Sequence, residues 1–378
     1  MKSISHIYEN ILDDDNIIRT MYKSMAGKKK SKSVRRFLSP ENINRNDAAI
    51  KRGIIDGTLP AQSARIPKII HEPSAGKDRI IYPSHDNEHV VHHLVCQELE
   101  QMFMRGMYDF CVASVPHRGD SYGKKYMKKW IKRAHGRKMY VLKLDIHHFF
   151  DTIDRNILFE KLSSRIHDVR FVEIMRKIIW YDNDPNGKGI PIGFYTSQWF
   201  ANFYLQDFDY FVKQCVHAKY YMRYMDDIVI LDANKRKLWR IYHEISAYLS
   251  DKLRLDLNDN RQLFRFSYFD RRTRKEKGRA IDFMGYVFHY NRTCMRKNTL
   301  RRTRRKANKI ATHRRPTWFE SAQMVSRAGR MRHTNTHKFF ARWIMAKVRM
   351  RKLRMVISNY AKSKVQAERT ECYAGTCI

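Results

Sequence analysis

The stretch Tyr221–Asp232, YMRYMDDIVILD, decides how the rest of the chain is read. Tyr221, Met222, Tyr224 and Met225 precede the adjacent aspartates Asp226 and Asp227, and Ile228, Val229 and Ile230 come after them. That composition predicts strand, turn, strand. Neighbouring carboxylates in an apolar setting are unfavourable, because desolvation and mutual repulsion both oppose their charge. A bound divalent cation offsets both effects; an Asp-rich turn exposed to water needs none.

Working outward, the chain has 378 residues, enough for two or three subdomains and a large core. Lys+Arg number 75 against 38 Asp+Glu, a formal net charge of +37, on a composition with 43% hydrophobic and 12% aromatic residues. A surplus of that size on a globular composition points to a polyanionic partner, most simply nucleic acid, with an anionic membrane surface as the rival. No apolar run is long enough to span a bilayer, and MKSISHIYEN lacks the apolar segment of a signal peptide, so a cytoplasmic protein with no membrane partner is expected. The cysteines (Cys96, Cys111, Cys215, Cys294, Cys372 and Cys377) lack zinc-finger spacing. Reduced thiols are the default, with Cys372 and Cys377 the candidates for a pair or a metal site.

Residues 5–25 predict an amphipathic helix, followed by a basic loop, Lys28–Arg36, and a helix capped by Ser39 that runs to about Ile55. A hairpin is expected from Ala64 to Ser84, its Arg65, Lys68, Lys77 and Arg79 forming either a solvated face or a phosphate clamp. The helix expected over Asp86–Met104 carries His89, His92 and His93, read as polar helix-face residues. KMYVLKLDIHHFF predicts a strand ending near Asp145, and Asp154 suits the N-cap of a following helix. Two helices over Arg155–Tyr181, a loop at Asp182–Gly189, a helix from about Ser197 and another over Lys235–Lys252 complete the middle. A final pair of strands is separated by the basic loop Arg271–Arg279. The remainder is helical and very basic from Arg296–Lys309, RKNTLRRTRRKANK, with Leu300, Ala307, Ile310, Trp318 and Phe319 implying a packed module with a cationic side.

Asp145 at one strand end and Asp226 and Asp227 in an apolar hairpin are therefore the candidate catalytic residues. Three carboxylates on one sheet suit two divalent cations about 3.5–4 Å apart, one activating a 3′-hydroxyl and one holding a triphosphate. Magnesium suits oxygen ligands and keeps water positions for phosphate. His147 and His148 beside the strand are expected to face solvent or nucleic acid. Taken alone, the carboxylates give phosphoryl chemistry without its direction.

The ordered motifs supply the direction, for the chain resembles the reverse-transcriptase family of right-hand polymerases. LKLDIHHFFDTID (Leu142–Asp154) is similar to the first palm motif, which implies Asp145 and the Ile146 carbonyl as metal ligands and Phe150 as the aromatic that excludes a ribose 2′-hydroxyl. YMDD (Tyr224–Asp227) resembles the catalytic hairpin, with Tyr224 and Met225 placed at the primer or packed beneath it. IDFMGYVF (Ile281–Phe288) resembles the hairpin that grips the primer end, through Met284, Gly285 and Tyr286. RIIYPS after a basic turn resembles the fingers, implying that Arg79 and Lys77 meet the incoming triphosphate. Arg301 and Arg305 on the basic helix are the expected thumb contacts to primer and template. In GIPIGFYTSQWFANFYL (Gly189–Leu205), Ile192–Gly193 and Ser197–Gln198 are similar to diversity-generating retroelement enzymes, as are His93–Cys96 and Thr336–His337; Gly193 and Gln198 are thereby implied at the nucleotide. The motifs extend from about Ile66 to Trp343.

The chain departs from the family in three places. LDLNDNRQLF (Leu255–Phe264) lacks the lysine expected to protonate pyrophosphate, and Arg261 is a poor donor at neutral pH. Phe194–Tyr195 are bulkier than the usual residues, and His89 stands where relatives tend to carry arginine. No ribonuclease H, integrase or endonuclease segment is recognisable, so RNA removal and integration are expected to fall to other proteins.

The resemblance implies an α+β fold: a right-hand polymerase with mixed α/β fingers (1–136), an antiparallel-sheet palm (137–289) and a basic helical thumb (290–378). It implies an RNA-directed DNA polymerase using two Mg2+ ions, with Mn2+ as a substitute, on template RNA, a primer or cDNA strand and deoxynucleoside triphosphates. A prokaryotic or phage-encoded retroelement enzyme with a basic accessory protein is the leading expectation. The alternatives are a reverse transcriptase of phage (antiviral) defence and, outside enzymes, a basic RNA-binding scaffold with an inactive palm.

Overall fold

The computed structural model describes residues 7–28, 31–62, 66–72, 77–134, 138–184, 187–312 and 315–374, with the backbone alone for 72, 77 and 364–374. Arg65, the turn of the first hairpin, the Cys372 side chain and Cys377 lie outside the described residues. The chain divides into two compact units: Met1–Lys125 with Lys138–Phe264, and Tyr126–Arg137 with Arg265–Ile378.

The chain opens with α1 (Ile7–Ile11) and α2 (Asp14–Ser24) where one helix was expected. The break arises at Asp13, whose extended backbone and side chain cap α2 by accepting from the Asn16 amide at 2.8 Å. The expected basic loop contains α3 (Lys32–Phe37), and α4 (Pro40–Ile55) starts on a proline that needs no N–H there. Ser39 occupies the cap position of α4, but its hydroxyl donates to the Arg36 carbonyl and accepts from the Asn42 side chain, not from a backbone amide of the helix. β1 (Lys68–Glu72) and β2 (Lys77–Ile81) form the antiparallel hairpin. Two helices come next, α5 (Asp86–Arg105) and α6 (Asp120–Arg133).

β3 (Tyr140–Asp145) leads through α7 (Phe149–Thr152) to α8 (Arg155–Ser163) and α9 (Val169–Ile179). Asp154 caps α8, accepting from the amides of Asn156 and Ile157. Then come α10 (Tyr195–Tyr204), α11 (Gln206–Tyr210), β4 (Tyr220–Tyr224), β5 (Asp227–Asp232), α12 (Lys235–Leu253) and β6 (Gln262–Arg265). The sheet order is β4–β5–β3–β6, with β5 antiparallel to both neighbours. Ile228, Val229, Ile230 and Leu231 are all buried, as an apolar run without alternation requires of a strand covered on both faces. α12 packs on β3 and β5, burying Leu238, Ile241, Ile245 and Leu249 at helical spacing.

The remaining strands are β7 (Tyr268–Asp270), β8 (Lys275–Lys277), β9 (Ile281–Phe283), β10 (Tyr286–Phe288) and β11 (Thr293–Met295). β8 lies inside the segment expected to be a basic loop and pairs with β7 just before it, and Lys277 Nζ lies 2.5 Å from Asp270. β11–β10–β9 form a separate antiparallel sheet. The helices α13 (Lys297–Thr312), α14 (Trp318–Arg332), α15 (His337–Phe340) and α16 (Met350–Ala374) end the described chain. Ala307, Ile310, Met324, Ile344 and Leu353 make the core of this helical part. Among the described residues no helix is long and apolar enough to cross a membrane.

Candidate active site

β3 and β5 pair with Asp145 directly opposite Asp227, and Tyr224 faces Asp227 from β4. Directly opposed residues of an antiparallel pair project to one face with Cβ atoms about 4.5–5.5 Å apart. Met225 and Asp226 form the turn between β4 and β5. Met225 has φ 58° whereas Asp226 is not in the left-handed region, the sign pattern of a type II′ hairpin turn, a position that glycine normally fills. β3 and β5 thus bring two carboxylates opposite each other, and the turn that joins β4 to β5 holds the third.

Electrostatics bears out the repulsion expected from the sequence. The Asp226 carboxyl is pushed up to about 6, first by burial, then by the charge of Asp145 and to a lesser degree of Asp227, with Arg79 acting in the opposite sense. Lys143, two residues before Asp145 on β3, brings Nζ to 3.5 Å from Asp227 Oδ1. Asn258 donates its backbone N–H to the Asp145 carbonyl at 2.8 Å and its Nδ2 to Asp145 Oδ2 at 3.4 Å.

Among the described residues, no group of three or more His, Cys, Asp or Glu side chains converges closely enough to hold a metal ion. Asp227 is turned to Lys143 and Asp145 to Asn258. The donor chemistry nonetheless fits a hard divalent cation, since carboxylates are hard oxygen donors and Asp226 is held in a field that favours added positive charge. Asp145, Asp226 and Asp227 are the residues that would hold it.

A family profile described as reverse transcriptase (RNA-dependent DNA polymerase) matches residues 75–288. The chain belongs to the reverse transcriptase family. Its α+β architecture is the reverse-transcriptase fold. No curated protein matches the chain. Among solved structures, telomerase from Candida albicans in complex with a TWJ fragment of telomeric RNA is 13% identical, over 87% of this chain and 63% of that one, with a TM-score of 0.45. Apo telomerase from Candida tropicalis, truncated from its C-terminal domain, is 12% identical over 67% and 59%, with a TM-score of 0.42. The chain spans about three fifths of the length of these telomerase chains.

Of the other sequence-predicted residues of this reverse transcriptase, Arg79 lies on β2, close enough to lower the Asp226 carboxyl electrostatically; Lys77 begins that strand, and its side chain lies outside the described residues. Gly193 has φ 128°, and a Cβ there would meet the Tyr82 carbonyl oxygen at 2.5 Å. The Tyr82 amide donates to the Ile192 carbonyl at 2.8 Å, so the end of β2 is tied to the segment before α10. Gln198 on α10 accepts from the Ser114 hydroxyl at 2.9 Å. Phe150 on α7 packs part-buried against the core, its carbonyl accepting from Ile190 N–H at 2.8 Å. Ile146 is buried, and its amide faces the Asp226 carbonyl at 3.4 Å. Tyr224 packs part-buried on the same core. Phe194 stands against buried His92, and Tyr195 stacks on His93 with ring centroids 3.6 Å apart. Arg261 lies over the Tyr242 ring.

Met284 and Gly285 turn β9 into β10, with φ 52° and 79° and Tyr286 opposite Phe283. Arg301 and Arg305 lie on α13, away from its buried Thr303, Ala307 and Ile310.

Sequence reasoning missed several residues. Lys143 could have been found from its spacing, since position i−2 of Asp145 shares its face of a strand. On α6, Lys125, Lys128, Lys129, Lys132 and Arg133 line one exposed face, with Met127, Trp130 and Ile131 buried opposite; the i, i+3, i+4 spacing was the signal. Arg223, between Met222 and Tyr224 on β4, is fully buried with Asp209, and no local signal marks it.

Proposed function

We propose that the chain is an RNA-directed DNA polymerase that extends a primer on template RNA with deoxynucleoside triphosphates. The observation that carries this reading is the register of Asp145 opposite Asp227, with Asp226 in the adjoining turn, in a chain of the reverse transcriptase family. Asp145, Asp226, Asp227 and the Ile146 carbonyl hold two Mg2+ ions, for which Mn2+ substitutes. When bound, such ions lower the pKa of an attacking hydroxyl and neutralise charge on the triphosphate. Arg79 and Lys77 draw the triphosphate toward Asp226, and Phe150 excludes the ribose 2′-hydroxyl. The Gly193 backbone and Gln198 border the nucleotide, and Tyr224, Met225, Met284, Gly285 and Tyr286 hold the primer end.

In this reading the chain is organised as fingers (1–136), palm (137–289) and thumb (290–378). Template RNA is gripped through phosphates by the cationic faces of α6 and α13, Arg301 and Arg305 included, so binding weakens steeply as salt rises. The leading role is copying a dedicated RNA in a diversity-generating retroelement of a prokaryote or phage, in the cytoplasm, beside a basic accessory protein. The Ile192–Gly193 and Ser197–Gln198 pairs support this over phage defence. A near-repeat in neighbouring DNA differing chiefly at adenines is expected, and its absence would favour defence. Purified protein is expected to extend a DNA primer on RNA with Mg2+; tight RNA binding with no extension under either metal would leave only the scaffold reading.

A further inference from the structure

Behind the catalytic turn lies a polar cluster that the proposed chemistry does not touch. Arg223 on β4 and Asp209 on α11 are both fully buried. Arg223 Nε and Nη2 donate to the two Asp209 oxygens at 2.8 and 2.5 Å. Its Nη1 donates to Asn202 Oδ1 at 3.1 Å and to the Met225 carbonyl at 3.0 Å. Tyr221 donates its hydroxyl to Asp209, Asn202 Nδ2 donates to the Ala113 carbonyl, and the Cys111 thiol donates to Asn202 Oδ1. The Arg223 backbone is held as well, its N–H donating to the Phe110 carbonyl and its carbonyl accepting from Val112 N–H, both at 3.0 Å.

An apolar side chain would fill this place in β4 without the desolvation of two charges. What it could not supply is a donor to the Met225 carbonyl. That carbonyl belongs to the left-handed residue of the turn, and its peptide plane leads directly into Asp226.

We propose that Arg223, oriented by Asp209, is a positioning residue: by donating to the Met225 carbonyl it fixes the turn that sets the Asp226 and Asp227 carboxylates. The proposal rests on the active-site assignment above. Loss of the donor lets the turn relax toward commoner backbone angles, moving both carboxylates while leaving the nucleotide pocket in place.

The test uses the full chain carrying Arg223→Met with Asp209→Leu, which removes both buried charges together, a change that is often neutral for stability. Thermal melting, primer extension, and Mn2+ binding to the free protein followed by electron paramagnetic resonance are measured beside wild type. The expected result is near-wild-type melting, kcat down about 100-fold with little change in KM for deoxynucleotide, and Mn2+ affinity down about 10-fold. A folded double variant with wild-type kcat and Mn2+ affinity overturns the proposal. If the double variant does not fold, Arg223→Lys decides. Lysine keeps the charge opposite Asp209 but lacks the fork, so the same losses are expected, and wild-type values overturn it. Asp226→Ala with Asp227→Ala runs alongside: undiminished extension there contradicts the active-site assignment itself, whereas loss there with wild-type behaviour of the Arg223 variants contradicts only the positioning role.

Discussion

The β4–β5 and β9–β10 hairpins both close with two-residue turns that begin on a methionine in the left-handed region, Met225 at φ 58° and Met284 at φ 52°. They differ at the next residue. Gly285 at φ 79° gives the second turn two positive φ values, the type I′ combination that matches the twist of the strands. The first turn has Asp226 in that place. In both, an arginine reaches the methionine carbonyl: Arg330 Nη2 from an exposed residue at 3.5 Å, and Arg223 Nη1 from full burial at 3.0 Å. A left-handed non-glycine residue costs about 1–3 kcal/mol and persists only when its surroundings over-determine it. Where a carboxylate is needed in the turn, a glycine is not available to complete it, and a buried donor holds it instead.

The largest effect should separate the two arginines. Arg223→Met alone strands the Asp209 charge in the core and is expected to destabilise by about 3–5 kcal/mol. Arg330→Met removes a long hydrogen bond and a guanidinium 5.7 Å from the Tyr286 ring centre, and should stay within about 1 kcal/mol. Chemical denaturation measures both, and equal losses would break the comparison. Next in size, Gly285→Ala forces a Cβ into φ 79° and to 3.2 Å from Arg330 Nη2, the far end of a flexible side chain. A loss of about 1–2 kcal/mol is expected in the same assay; no loss would mean the second turn does not depend on its glycine.

The smallest effect is in pH. His93 is pushed down to about 3, first by burial and then by His89 and nearby lysines. The folded state keeps it neutral while the unfolded chain protonates it near its ordinary value, about 6.5. Its contribution is therefore intact above about pH 6.5 and falls as pH drops toward 3. His93→Phe should flatten that acid limb for the part of the molecule carrying the first hairpin. In the second part the acid-sensitive carboxyls include Asp270, held down to about 2 by Lys277, and Glu276, whose burial is outweighed by His289 and Arg292 so that it too is held low, and their limb should not move.

The β4–β5 hairpin and β3 were legible because short apolar runs leading to charged residues have few other readings than buried strands. Asp154 as an N-cap was legible for the same local reason. What escaped depended on partners distant in sequence. Nothing in the sequence pattern links Arg223 to Asp209, which acquire meaning only when β4 and α11 are packed together. The break at Asp13 and the β7–β8 hairpin escaped for another reason. Both involve local side-chain contacts, Asp13 accepting from the Asn16 amide, and Asp270 accepting from the Arg272 and Thr273 amides and pairing with Lys277, too local to alter the wider pattern.

The central claim is that the carboxylates of β3, of the β4–β5 turn and of the start of β5 serve DNA synthesis. It is tested most directly by primer extension on an RNA template with Mg2+, comparing wild type with Asp226→Ala, Asp227→Ala protein shown to be folded by circular dichroism. Extension by wild type and none by the variant is the predicted result; a folded variant that extends the primer as wild type does would contradict it.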